Sequence, residues 1–73
     1  MTYFNKGENL YYKIDAETFT VYEVFGSDSQ KRIMLNTGER FYTDVMERIE
    51  RDSFTETDEA AFTTFLNQVK ASL

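Results

Sequence analysis

Apolar and polar positions recur with a period of about two through the first half of the chain, which is the period of a β-strand. The pattern is clearest in Leu10–Ile14 and Phe19–Phe25, which are rich in aromatic and β-branched residues. Two shorter runs, Thr2–Asn5 and Lys31–Asn36, complete four predicted strands. The connections between them are about four or five residues long, which suits hairpins and is too short for a parallel crossover. Residues 2–36 therefore predict a four-stranded antiparallel β-meander.

The second half of the chain has the period of an amphipathic helix, with apolar residues three or four positions apart. The clearest stripe lies within residues 57–73, at Phe62, Phe65, Leu66, Val69 and Leu73. Thr57 is a suitable N-cap, and Asp58 and Glu59 follow at the end where the helix dipole favours negative charge. We therefore predict that residues 57–73 form a helix whose apolar stripe packs on the sheet.

A second helical stripe precedes this one, at Phe41, Tyr42, Val45, Met46 and Ile49. It predicts a helix over residues 38–52, capped by Asn36 or Thr37. The polar side of this helix has two acid-before-base pairs four residues apart, which stabilise a helix where they form: Asp44 with Arg48, and Glu47 with Arg51. Residues 53–56 are expected to be a short extended connection between the two helices.

Together these elements predict a single α+β domain over residues 1–73. An antiparallel β-meander of about four strands occupies the N-terminal half, and two C-terminal helices pack on one face of it. We find no internal repeat, low-complexity tract or linker that would divide the chain.

The chemistry of the chain is restricted by the absence of both cysteine and histidine. Disulfides and Cys/His zinc sites are excluded, and the usual base of a nucleophilic triad is missing. The densest acidic group, at Asp52, Glu56, Asp58 and Glu59, lacks the spacing of a calcium loop. We therefore expect a non-catalytic protein with no cofactor and no metal; a small enzyme or an ion-binding domain is the weakest hypothesis.

The net charge of −5 disfavours nucleic acid and anionic membranes as partners, because both are bound through Lys and Arg. A group of cations at Lys31, Arg32 and Arg40 lies near tyrosines that could stack on bases, but three cations are few in so acidic a chain. No apolar run approaches the ~20 residues of a membrane span. The first residues have neither a basic nor an apolar signal-peptide region, so we expect a cytoplasmic protein.

Aromatic and apolar residues fall on both faces of the predicted strands, although helices on one face would cover only one of them. If Leu10, Tyr12 and Val21 lie on the covered face, the other face exposes an apolar group at Tyr11, Tyr22, Val24 and Met34. The opposite assignment, which buries Tyr22 and Val24, stays open because the pattern does not determine the register. Exposed Tyr and Met are typical of protein interfaces.

The leading functional hypothesis is therefore a protein-interaction or small accessory domain, which binds a protein partner or self-associates through an exposed aromatic sheet face. The alternative is an acidic inhibitor or nucleic-acid mimic that binds a basic protein. That alternative requires five carboxylates to form one continuous negative surface: Glu8, Glu17, Glu23, Glu47 and Glu50.

Overall fold

A computed structural model describes residues 1–73 and shows an α+β fold built on one antiparallel sheet. Its strands are β1 (Thr2–Lys6), β2 (Leu10–Asp15), β3 (Thr20–Gly26), β4 (Lys31–Thr37) and β5 (Thr55–Thr57). Strands β1 to β4 form the predicted meander, in the order β4-β3-β2-β1. The predicted fold class is therefore confirmed, with a fifth strand added beside β1.

The fifth strand lies in the segment that the sequence predicts to be a connection. Residues Thr55–Thr57 pair antiparallel with β1, with Tyr3 opposite Thr57. Three residues reading Thr-Glu-Thr show no apolar alternation, so nothing local marks them as a strand. Their conformation follows from pairing with an edge that is distant in sequence.

The two helices are α1 (Glu39–Arg51) and α2 (Glu59–Ala71), slightly shorter than the predicted ranges 38–52 and 57–73. The N-cap of α1 is Gly38, which offers no side-chain hydrogen bond, so neither predicted capping residue is used. The N-cap of α2 is Asp58, whose carboxylate accepts a hydrogen bond of 2.9 Å from the Ala61 N–H.

Two details of the predicted helices are wrong. Neither predicted ion pair of α1 forms, because Arg48 reaches the sheet and Arg51 pairs with Asp52 at 3.1 Å. Leu73 lies beyond the end of α2 and is 71% exposed, so it does not extend the apolar stripe.

The helices pack on opposite faces of the sheet, which corrects the prediction that they share one face. Helix α1 packs Val45 and Ile49 on a cluster that includes Tyr12, and α2 packs Phe62 and Val69 on Val24. The short strand β5 separates the two helices in sequence, so the chain leaves one face, pairs at the sheet edge and continues on the other face. Each apolar face thereby receives one helix.

The phase of β4 also differs from the sequence assignment, which placed Met34 on the same face as Tyr22 and Val24. Ile33 lies opposite Val24 and Leu35 opposite Tyr22, so both point to the α2 face. Met34 lies opposite Glu23 and points to the α1 face. The loop between β3 and β4 determines this register, and its Ser27 N–H donates to the Gln30 carbonyl at 2.8 Å.

Candidate functional site

The four predicted interaction residues do not form one exposed face. Val24 is completely buried beneath α2. Tyr11 and Tyr22 are half-buried under the same helix; the Tyr11 ring stacks on Phe65 at 4.6 Å, and Tyr22 meets another phenylalanine of α2 edge-on. Met34 is half-buried on the opposite side of the sheet. The predicted open aromatic face is therefore wrong, because α2 covers most of it.

An apolar surface remains at the corner of the sheet that α2 does not cover. Helix α2 starts just after β5 and ends beside Gly26, where Val69 packs, so it leaves the opposite end of β4 open. Leu35 is 65% exposed there, and Met1 is 74% exposed. These two side chains and Tyr22 help to line a shallow depression of about 200 Å³.

The main chain of β4 is also unpaired on its outer side, because β4 is an edge strand. The Gly38 N–H donates to the Phe19 carbonyl at 3.0 Å, and hydrogen-bonded pairs alternate along the ladder from that point. Arg32, Met34 and Asn36 therefore bond to β3. The N–H and C=O groups of the alternate residues point outward, and none of them has a protein partner: Lys31, Ile33, Leu35 and Thr37.

The two edges of the sheet differ in how they resist pairing. Strand β5 has only three residues, with Glu56 in the middle, and short charged edges discourage association. Strand β4 has seven residues and no proline, and its two charged residues, Lys31 and Arg32, lie together at its start. We define the edge surface as the outer main chain of Lys31–Thr37 with the side chains of Ile33 and Leu35.

A buried polar cluster lies beside this edge on the α1 face. Glu23 is the only buried charged residue, and its Oε2 accepts a hydrogen bond of 2.9 Å from the Tyr12 hydroxyl. Both Nε and Nη2 of Arg32 lie 3.0 Å from Glu23 Oε1. Arg48 of α1 donates to the Tyr12 hydroxyl at 3.3 Å. The cluster thus joins three strands to α1.

The hydrogen bonds of this cluster hold the sheet and α1 together. No buried side-chain polar atom in the structure lacks a hydrogen-bond partner, and no cavity is lined by Glu23 or Tyr12. Burial, followed by the adjacent Glu23 carboxylate, raises the pKa of Tyr12 above its usual value of 10.0. The hydroxyl therefore stays protonated and donates to the carboxylate.

The five carboxylates required by the acidic-mimic hypothesis do not form one surface. Glu23 is buried and paired with Arg32. Glu8 and Glu17 lie in turns at opposite ends of β2, roughly 20 Å apart at the rise of a strand. No three carboxylates come close enough to hold a metal ion.

Comparisons with protein-family models, with curated proteins and with solved structures find no match. Neither helix combines the length and the apolar character that a membrane crossing requires. Within this chain, the edge surface is the one extended set of unpaired main-chain groups beside exposed apolar side chains. In the sequence, the uninterrupted apolar run Ile33-Met34-Leu35 indicates that β4 has apolar side chains on both faces, since a strand with one face in water would alternate.

Proposed function

We propose that the protein is a non-catalytic interaction module that binds a protein partner by adding the partner's strand to the open edge of β4. The observation that supports this is the coincidence of unpaired main-chain groups with exposed Leu35 on one seven-residue strand. Strand addition uses main-chain hydrogen bonds for affinity and alternate side chains for specificity.

The edge surface offers both kinds of contact. Four outward residues of β4 can exchange main-chain hydrogen bonds with an antiparallel strand. On the α2 face, Leu35 and the depression beside Tyr22 can accept an apolar side chain of the partner. On the α1 face, Arg32 is half-exposed above the Phe25 ring at 5.4 Å, which fits a polar or acidic side chain.

A catalytic role has less support in this geometry. The buried polar cluster is fully hydrogen-bonded and borders no cleft, whereas a catalytic carboxylate needs room for a substrate beside it. The depressions on the surface are open and shallow.

Site-specific photo-crosslinking tests the proposal. A photoreactive amino acid replaces Leu35 in one protein and Leu73 in a matched control, because both side chains are similarly exposed and only Leu35 lies on the edge. In extract of the source cells, we expect a cross-linked species of one defined mass from position 35, identified by mass spectrometry and absent from position 73.

Competition makes this test specific for strand pairing. A synthetic peptide with the sequence of residues 30–38 should suppress the cross-link, whereas a scrambled peptide of the same composition should not. Equal labelling from positions 35 and 73, or labelling that neither peptide reduces, would overturn the proposal.

A further inference from the structure

We infer that the strand added to β4 is β4 of a second copy of this chain, paired antiparallel about a two-fold axis at Met34. This inference rests on the proposed function and specifies its partner. It joins the two five-stranded sheets into one continuous sheet.

The direction of the main-chain groups limits the registers that two copies can adopt. Outward-pointing residues of one strand must lie opposite outward-pointing residues of the other, and on β4 these are all odd-numbered. One residue of β4 must therefore lie directly opposite its own copy, and the two-fold axis runs between these two equivalent residues. The candidate centres within the strand interior are Arg32, Ile33, Met34 and Leu35.

The register centred on Met34 pairs the whole strand with chemically matched neighbours. Ile33 lies opposite the partner's Leu35, and Met34 lies opposite the partner's Met34. Arg32 lies opposite the partner's Asn36, and Lys31 opposite the partner's Thr37, so each cation faces a neutral polar side chain. All seven residues of each strand are paired, with about eight main-chain hydrogen bonds across the interface.

Charge separation favours the same register. With Met34 at the axis, the two Arg32 side chains are four residues apart along the strand, about 14 Å, which exceeds the Debye length of about 8 Å in physiological salt. An axis at Ile33 brings them to about 7 Å, and an axis at Arg32 sets them directly opposite each other. An axis at Leu35 sets Ile33 against the partner's Thr37 and leaves the start of the strand unpaired.

The Met34 register also covers the exposed apolar side chain. Directly opposite residues share a sheet face, so Leu35 lies between its own Tyr22 and the partner's Ile33 on the α2 face. Only nine residues of the chain are buried in one copy, so a small core gains apolar contacts from this pairing.

Cysteine cross-linking tests the register, because the chain has no cysteine of its own. Met34→Cys alone should form a disulfide dimer under mild oxidation, since two-fold-related residues at the axis are within disulfide distance. Ile33→Cys or Leu35→Cys alone should not, because each is diagonal to its own copy. A mixture of those two variants should cross-link to each other. Fast self-cross-linking at position 33 or 35 would overturn the register.

Analytical ultracentrifugation of purified protein tests the association itself. Wild type and the matched control Leu73→Lys should show a concentration-dependent monomer–dimer equilibrium. Leu35→Lys should weaken dimerisation by about a hundredfold or more, because each dimer loses two buried leucines. Leu35→Thr should also weaken dimerisation, although threonine is a favourable residue in an exposed strand. The circular dichroism spectra of both variants should match that of the wild type.

The two proposals fail in different ways. A wild-type protein that remains monomeric at every concentration overturns the second-copy inference. If Leu35 then still cross-links a different protein in extract, the proposed function stands with a heterologous partner. If neither a dimer nor a specific cross-link is found, both are wrong.

Discussion

At the scale of single residues, the Glu23 carboxylate determines much of the specificity of the sheet. Taking a carboxylate out of water costs several kcal/mol, and here the Tyr12 hydroxyl and the Arg32 guanidinium offset that cost. A slip of β3 by one residue would turn Glu23 toward Phe62 and Val69 under α2. The buried charge therefore disfavours that alternative register.

Removal of the cation should expose the cost of this buried charge. Arg32→Met keeps the aliphatic part of the side chain but leaves Glu23 with Tyr12 as its remaining donor. We expect the free energy of unfolding to fall by about 1–3 kcal/mol, measured by urea denaturation at low protein concentration. In the double variant with Glu23→Gln, part of the loss should return; an additive loss would contradict the coupling.

The raised pKa of Tyr12 predicts a loss of stability in alkaline solution. A tyrosine whose pKa is higher in the folded state than its usual 10.0 stabilises the fold at lower pH, and this contribution disappears as the pH rises through the folded value. Urea denaturation between about pH 9 and about pH 11 should show stability falling with pH. Tyr12→Phe should reduce this slope; a slope equal to that of the wild type would refute the assignment.

At the scale of elements, the close packing of α2 on the sheet depends on the absence of a side chain at Gly26. A Cβ at this position would lie 2.8 Å from Val69 Cγ2 and 3.4 Å from Phe65 Cζ. The end of β3 and the last turns of α2 therefore approach closely. The start of α2 is held by its Asp58 cap, so the helix is positioned at both ends.

Gly26→Ala should destabilise the protein by about 1–3 kcal/mol, because α2 must move away from the sheet or Val69 must leave its preferred rotamer. Thermal or urea unfolding measures the effect. Adding Val69→Ala should restore the space, so the double variant should lose less than the sum of the single losses. The matched control Gly38→Ala, which has open space around it, should lose little; equal losses at both glycines would contradict a steric origin.

At the scale of the whole molecule, the sheet divides the core into two parts. Tyr12, Ile14 and Val21 pack with α1 on one face, and Val24 packs with α2 on the other. Each half is small, so neither helix has a second layer to support it. The long open edge of β4 adjoins both halves, which makes it the place where association would add most contacts.

The separation of the two halves predicts additive mutations. Val45→Ala removes packing beneath α1, and Val69→Ala removes packing beneath α2. We expect each to cost about 2 kcal/mol and their combination to cost the sum within about 0.5 kcal/mol. Urea denaturation of the two single variants and the double variant measures this. A large interaction energy would mean that the sheet transmits strain between its faces.

Amide hydrogen exchange should reveal the open edge directly. In dilute protein, the amides of Ile33 and Leu35 should exchange much faster than that of Met34, because only the Met34 N–H points toward β3. Rising protein concentration should slow exchange at the two outward amides. Protection of Ile33 and Leu35 that equals that of Met34 in dilute solution would contradict the assigned edge geometry.

Local patterns were sufficient to predict most of the secondary structure. The period of two in Leu10–Ile14 and the period of 3.6 in Phe62–Val69 arise from backbone geometry, so they are visible without any long-range information. The antiparallel meander followed from short connections. The predicted fold class and the four strands from Thr2 to Thr37 were confirmed on this basis.

The tertiary structure alone decided which faces are covered and where the open surface lies. The phase of β4 depends on one loop, and a shift of one residue exchanges Met34 with Leu35 across the sheet. The side of each helix depends on β5, whose pairing with β1 joins segments distant in sequence. The face assignment on which the predicted site rested left Tyr11, Tyr22 and Val24 exposed, whereas α2 covers them, and Leu35 was not recognised. The sequence determined the elements because their causes are local, whereas the faces and the edge follow from pairings that exist only in the folded chain.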